Sequence, residues 1–318
     1  MFRKLEDLFS RIHTDMSRTL NSALTQRPPR APRTPPRDNL SSPQLLARGQ
    51  EAEVLNFLAA RPVQNVIMSS LIRDNGFEPD LNRGDFYACR DARGEATGVA
   101  LLGHHILFAS ECAETVEAFA RRARERRDAR VILGERASVG QFWSGYARAG
   151  ESPLLVQQEM MLALTWPVAV RRHVPGLRPA TLDDLAQVAT VHARMAFEES
   201  SSDPLQVDPA GFLARLSRRI EAGRVWVWIE AGRLIFKADI FSDTPEAIYL
   251  EGVYVHPDER GKGYGLRCLS QLSRELLMRA KSLCLLVNVR NEPAQAFYRR
   301  AGYKLHSHYD TIYLPPRI

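Results

Sequence analysis

Arg260-Gly261-Lys262-Gly263-Tyr264-Gly265 is the stretch of this sequence best suited to chemistry. Glycines let backbone N–H groups approach an anion closely, and a following helix adds the positive end of its dipole. Arg260 and Lys262 supply full charges beside those donors. Such a loop suits a phosphorylated ligand, and a pyrophosphate best. The residues before it end a strand at Val255, His256-Pro257 turns the chain, and a helix is expected from Tyr264 to about Lys281. Spacing excludes two familiar phosphate loops. Lys262 is followed by Gly263 where a Walker loop needs Ser or Thr, and Gly261, Gly263 and Gly265 are spaced by two where the dinucleotide fingerprint needs G-x-G-x-x-G. What fits is Arg or Gln, two free residues, Gly, one free residue, and Gly or Ala. So short a pattern takes its weight from its place between a strand and a helix.

A second element follows one strand later. After an expected strand at Leu283–Val289 the chain reads N-V-R-N-E-P-A-Q-A-F-Y-R-R-A-G-Y over Asn288–Tyr303, with a helix expected over Glu292–Arg300. With R-G-K-G-Y-G, this resembles the GNAT superfamily of acyl-CoA-dependent N-acyltransferases, over about Leu177–Leu314. The family's pattern of Asn, Ala, Tyr, then Gly and an aromatic is matched by Asn291, Ala294, Tyr298, Gly302 and Tyr303.

The resemblance implies a set of roles. The backbone of Val253, Tyr254 and Val255 would hold the pantetheine arm. Arg260, Gly261, Lys262, Gly263, Tyr264 and Gly265 would hold the coenzyme A pyrophosphate, with Asn291 part of the same cofactor site. The acyl-donor substrate would be acetyl-CoA, with no metal, and an amine would attack the thioester directly. That reaction needs a neutral amine, a stabilised carbonyl oxygen and a proton for the departing thiolate. Tyr298 matches the family's general acid. Glu251 lies on the strand leading to the loop, where family members often carry a base. Strand alternation puts Tyr249, Glu251 and Val253 on one face and Leu250, Gly252 and Tyr254 on the other. Glu251 is expected as a base or amine-binding group, against the alternative of a structural pair with an arginine. The acceptor stays open: a small-molecule or peptide amine. Two other functions compete, a non-catalytic acyl-CoA-binding sensor and an acyltransferase using a longer acyl-CoA.

Other reactive residues read as structural. His306 and His308 share a strand face but lack a third metal ligand. His104 and His105 point to opposite faces. Cys268 and Cys284 fall in helix and strand interiors, where cysteine acts as a small hydrophobe. Asp183 and Asp184 suit the first turn of a helix, and Glu198 and Glu199 suit a solvated loop.

The elements that position these residues are read twice along the chain. In the first block, Asp85–Arg90 and Thr97–Gly103 flank the turn D-A-R-G-E, followed by a strand at His105–Ala109, a helix, a strand at Arg130–Gly134, a helix and a strand at Leu154–Leu164. In the second, Thr181 caps a helix with Asp184 three residues on, close to a capping box. A helix over Pro209–Ala222 precedes V-W-V-W-I-E and L-I-F-K-A-D-I-F, then the strand and loop described above. The fold class expected is mixed α/β: two GNAT-like domains, each a mixed central sheet flanked by helices, at 45–166 and 167–318, rather than one large sheet. At the matching crossover the first block reads F-A-S-E-C-A-E-T (Phe108–Thr115), with two acids and no glycine. It resembles the degenerate half of tandem GNAT proteins. Ile72–Gly84 reads as a polar loop.

Ahead of both blocks, apolar residues at steps of three or four mark an amphipathic helical leader over 1–26, and a Pro/Arg-rich linker follows over 27–44. The leader suits docking to a partner or membrane surface, packing on its own protein, or an unordered leader. The chain of 318 residues carries 43 Lys and Arg against 37 Asp and Glu, but residues 1–48 hold nine basic against four acidic residues, so the remainder is close to neutral. No nucleic-acid binding is expected of it. With 45% hydrophobic and 25% charged residues, four scattered cysteines and no secretory signal, the expectation is a soluble, cytoplasmic protein.

Overall fold

The computed structural model describes residues 42–316, without 168, 170, 171, 201 and 202 and without the side chains of 199 and 200. The expected leader lies outside it, as does the linker apart from its last residues. The first copy runs β1 (Gln44–Leu45), α1 (Glu51–Leu58), α2 (Val66–Asn75), a helical turn at Pro79–Asn82, β2 (Gly84–Arg90), β3 (Ala96–Gly103), β4 (His105–Ser110), α3 (Ala113–Ala123), β5 (Val131–Glu135), α4 (Arg136–Tyr146) and β6 (Leu155–Leu164). The second runs β7 (Leu177–Pro179), a 3-10 turn at Leu182–Asp184, α5 (Leu185–Ser200), a helical turn at Pro204–Val207, α6 (Pro209–Glu221), β8 (Val225–Glu230) and β9 (Arg233–Asp243). It continues through β10 (Ile248–Val255), a 3-10 turn at Pro257–Glu259, α7 (Tyr264–Leu276), β11 (Leu283–Asn288), α8 (Glu292–Arg300) and β12 (Lys304–Tyr313). Leaving the short turns aside, the order β-α-α-β-β-β-α-β-α-β is the same in both.

The class is the mixed α/β fold expected, and the two copies are joined in one sheet. Its twelve strands run β1-β2-β3-β4-β5-β12-β6-β11-β10-β9-β8-β7. The repeat and the large single sheet are therefore both present. The join is an exchange: β6 lies between β12 and β11, and β12 lies between β5 and β6. β6 pairs antiparallel with β11 from Leu164↔Leu283 to Asn288↔Glu159, and with β12 from Leu155↔Tyr313 to Ala163↔Lys304.

Both sheet faces are covered, which is why β8 reads as a continuous apolar run. Trp226 and Trp228 join Phe236, Leu250, Leu269 and Leu272 beneath α7 and α8. Val225 and Val227 face Val188, Phe212, Leu216 and Ile220 of α5 and α6. In the first copy α3 and α4 cover one face and α1 and α2 the other. Ile72–Gly84, expected as a loop, begins with the last turn of α2, where Ile72 is buried beside Val54 and Leu58 of α1. At the start of the second copy the Thr181 N–H donates to Asp184 Oδ2 at 2.8 Å, and Arg178 clamps the same carboxylate at 2.7 and 3.1 Å. No described helix is long and apolar enough to cross a membrane.

The exchange makes each copy depend on the other. Met161, Leu162 and Leu164 of β6 are buried, and at about 1.5–3 kcal/mol per fully buried side chain they match much of a domain's roughly 5–15 kcal/mol stability. Chains of residues 45–166 and 167–318 made separately should each lack a cooperative thermal transition by circular dichroism, and mixing them should restore it. A cooperative transition in either chain alone would show the exchange to be dispensable.

Candidate active site

β10 is parallel to β11 only at Ile248↔Leu283 and Tyr249↔Cys284, after which the two strands diverge. On its other edge β10 stays with β9, but Glu251 faces Asp239 while Tyr254 faces Lys237. Three steps on β10 span two on β9, a bulge. Gly252 occupies it at φ +58°, a region that favours glycine. A Cβ there would stand 2.8 Å from both Asp239 Oδ2 and Lys237 Nζ.

The bulge reverses the strand's alternation. Glu251 takes Arg219 of α6 at 2.8 Å, and the Tyr254 hydroxyl accepts from Arg194 of α5 at 2.9 Å, so both face α5 and α6. Val253 and Val255 instead pack on the core beneath α7 and α8. This corrects the expected sharing of one face by Glu251 and Val253, with Tyr254 opposite. A strict period of two does not survive an inserted residue. Glu251 is also the arginine-paired carboxylate weighed as its alternative.

Beyond the bulge the glycine loop leads into α7. Gly261 and Gly263 have φ of +78° and +81°, and nothing lies within 4 Å of where either Cβ would be. Conformation, not crowding, requires glycine at both, and the space outside the loop is open to a ligand. Gly265 differs: it is buried, and a Cβ would stand 2.7 Å from Val255 Cγ2 and 3.3 Å from Phe297 Cε2. Its role is to let α7 start against β10 and α8. The Tyr264 ring packs edge-on to Trp228 at 5.1 Å beneath the Arg267 guanidinium, which leaves its backbone amide to the loop. Arg260 Nε donates to Val255 O at 3.1 Å. Glu259 draws Lys262 Nζ to 2.9 Å and Arg233 to 2.5 Å, gathering two cations at the loop. Asn291 is exposed, and its Oδ1 caps α8 by accepting from the Ala294 N–H at 3.1 Å.

Two tyrosines of the second motif have separate environments. Tyr303 is fully buried, its hydroxyl 3.3 Å from Ser273 Oγ, and burial pushes its phenol well up. Tyr298 is half-buried at the edge of the same core as Val253, Val255, Leu266 and Phe297, with its ring 5.2 Å from Phe297 and 5.9 Å from Tyr303. Of the two, Tyr298 is the one not sealed inside the core. Cys268 and Cys284 are buried, and burial raises both thiols, Cys268 to about 12.

A charged cluster beneath the bulge was not anticipated. Lys237 and Asp239 have no exposed side-chain surface, and Lys237 Nζ donates to Asp239 Oδ2 at 2.5 Å. His192 Nδ1 of α5 lies 3.4 Å from the same oxygen. Burial would push the Asp239 carboxyl up, but the Lys237 ammonium, then His192 and Arg219, hold it down at about 2. The signal in the sequence was a Lys and an Asp two apart inside L-I-F-K-A-D-I-F, on one face of an apolar strand.

The first copy keeps the opening without the cradle. β4 and β5 pair only at His105↔Val131 and Ile106↔Ile132. A cavity of about 100 Å³ lies there, lined by Leu107, Phe108, Gly134, Ser138 and Arg61 among others. At the crossover Ser110 Oγ accepts from the Cys112 N–H at 3.1 Å and donates to Cys112 O at 2.8 Å, so the turn closes on itself.

A sheet that opens between two parallel strands, with a glycine loop at the head of the next helix, defines an acyl-CoA transferase fold of the GNAT type. Residues 221–305 match the family model described as an acetyltransferase (GNAT) domain. Solved structures extend the fold over most of the chain. They include a Drosophila protein (17% identity, TM-score 0.63, 87% of this chain and 99% of that one). A GCN5-related N-acetyltransferase from Sphaerobacter thermophilus gives 16%, 0.55, 90% and 98%. A tandem GNAT protein from the clavulanic acid biosynthesis pathway gives 15%, 0.53, 88% and 100%. No curated protein matches by sequence.

The buried pair has a pH signature. Asp239 titrates lower in the folded chain, about 2, than an unfolded aspartate at about 3.9. Its stabilisation is therefore complete above about pH 4 and lost as pH falls towards 2, about 2 kcal/mol in all. The double variant Lys237→Met/Asp239→Leu should lose that much less stability than wild type between pH 5 and 2 in urea titrations. An unchanged acid dependence would show the pair to be uncoupled from folding.

Proposed function

We propose that the protein is an N-acetyltransferase that moves the acetyl group of acetyl-CoA to a primary amine of a small molecule or peptide by direct attack. One coincidence carries this: the divergence of β10 from β11 ends at an open glycine loop, and the half-buried Tyr298 packs on the same core as Val253 and Val255 of β10. The pantetheine arm would lie along Val253, Tyr254 and Val255, where β10 has no β11 partner. The pyrophosphate would meet the loop amides from Gly261 to Gly265, with Arg260 and Lys262 beside them and Asn291 at the head of α8. Tyr298 protonates the departing thiolate. Glu251 binds the acceptor's ammonium group on the opposite face, beside Arg219. Glu251 faces α5 and α6, and Tyr298 lies on α8 over the other face of the sheet.

The donor site is tested at the loop. Gly263→Glu puts a side chain at a left-handed position and a negative charge beside the pyrophosphate. Acetyl-CoA binding by calorimetry should be lost while the thermal transition stays within a few degrees of wild type. Wild-type affinity would remove the donor assignment.

The acid is tested at Tyr298. Tyr298→Phe keeps the ring contacts with Phe297 and Tyr303 and removes one hydroxyl. Turnover should fall by about 10²- to 10⁴-fold, the range for a lost general acid, with acetyl-CoA affinity unchanged. Single-turnover rates within threefold of wild type across pH would make Tyr298 a packing residue.

A further inference from the structure

Asp239 is wholly buried, yet one of its oxygens does all the work of pairing. Oδ2 receives Lys237 Nζ and faces His192 Nδ1 at 3.4 Å, while Oδ1 has no hydrogen-bond partner among the described residues. The same Oδ2 lies 2.8 Å from where a Cβ on Gly252 would be, so the group sits directly under the bulge. His192 comes from the middle of α5, its ring edge-on to Phe212 at 5.6 Å. Its Nδ1 is buried against Asp239, and the side chain as a whole remains 25% exposed. One nitrogen thus points to a buried carboxylate while the ring still reaches the surface of the site.

We propose that His192 is the base that takes the proton from the acceptor's ammonium group, and that Asp239 is its positioning residue. The assignment rests on the N-acetyltransferase activity proposed above. Glu251 is a poorer candidate for this step. Its carboxylate is already engaged by Arg219 at 2.8 Å. Imidazole changes charge near neutral pH, where an amine must be deprotonated to attack. With Nδ1 buried and turned to Asp239 Oδ2 at 3.4 Å, Nε2 is the nitrogen left to accept a proton, and Lys237 keeps Asp239 ionised.

The protons balance as follows. One leaves the acceptor ammonium for His192 Nε2, and the neutral amine attacks the thioester carbonyl carbon. The carbon–nitrogen bond forms, the carbon–sulfur bond breaks, and the thiolate takes the Tyr298 phenolic proton. The second proton on nitrogen is released as the amide forms and restores the Tyr298 phenol through solvent. The products are the amide and the free thiol, with one net proton passed from His192 to water. His192 of α5 and Tyr298 of α8 belong to helices on opposite faces of the sheet.

The charged and titratable groups on this face are Asp239 and Lys237 from β9, Glu251 and Tyr254 from β10, Arg219 from α6, and Arg194 from α5. The probe is the aliphatic amine that the wild type acetylates fastest from a panel of amino acids, polyamines and aminosugars. His192→Gln should lower kcat/KM for it by about 10²- to 10⁴-fold at pH 7, with acetyl-CoA affinity and the thermal transition unchanged. The deficit should shrink as pH rises and the amine loses its proton unaided. Added imidazole should restore part of the rate to His192→Ala. In Lys237→Met/Asp239→Asn, where no buried cation is left unpaired, the acidic limb of kcat/KM should move to lower pH. Rates for His192→Gln within threefold of wild type at every pH would overturn the assignment, as would a deficit that is constant with pH and not rescued by imidazole. A wild type that binds acetyl-CoA but acetylates no amine of the panel would overturn the activity itself, and so fails at a different step.

Discussion

Between Glu251 and Tyr254, β10 advances three residues while β9 advances two, so Glu251 before the step and Tyr254 after it point to the same face of the sheet, where unbroken alternation would set them opposite. The groups of the site take their places from this. Glu251 and Tyr254 are turned towards the arginines of α5 and α6, and Val253 and Val255 towards the core that Tyr298 borders. The step holds because residue 252 is glycine, and Lys237 and Asp239 fill the space a side chain would need. A buried ion pair is a weak source of stability, since desolvation offsets most of its Coulomb attraction. Its placement under the bulge, touching both Gly252 and His192, is better explained by what it orients.

The second copy's site also depends on the first copy. β11 is flanked by β10 on one side and β6 on the other, and β6 is the last strand of the first copy. Because β10 leaves β11 after Tyr249, β6 is the neighbour that pairs with β11 along its whole length. The first copy therefore holds one wall of the opening. Its own crossover is closed by Ser110 on Cys112 and carries Glu111 in place of glycine. The open glycine loop belongs to the second copy, and the sheet that holds it is built by both copies.

Much of this was legible along the chain. Thr181 and Asp184 signalled the start of a helix, V-W-V-W-I-E signalled a strand, and R-G-K-G-Y-G signalled a glycine loop at the head of a helix. These are local patterns, set by backbone conformation and by spacings within a few residues. The helical end of α2 was missed because Arg73, Asp74 and Asn75 are polar, and Arg224 of the second copy holds Asp74 at 2.6 Å across 150 positions. Glu251 was legible as an unusual carboxylate on an apolar strand, but its partner Arg219 was not.

The sequence by itself determined the order of elements, their repetition, the open glycine loop and the family model that residues 221–305 match. Each follows from short-range chemistry: φ values that favour glycine, capping side chains, and apolar periods of two or of three to four. Only the tertiary structure decided the exchange of β6 and β12, the reversal of faces at Gly252, and the meeting of His192, Asp239 and Lys237. Strand pairing joins backbones whatever their side chains, so sequence carries little record of which neighbour a strand selects. A bulge shifts every later side chain by one position without altering a single residue of the pattern. A buried cluster drawn from α5 and β9 exists only once those elements pack, because the interaction that holds it, charge in a medium without water, is absent from the unfolded chain.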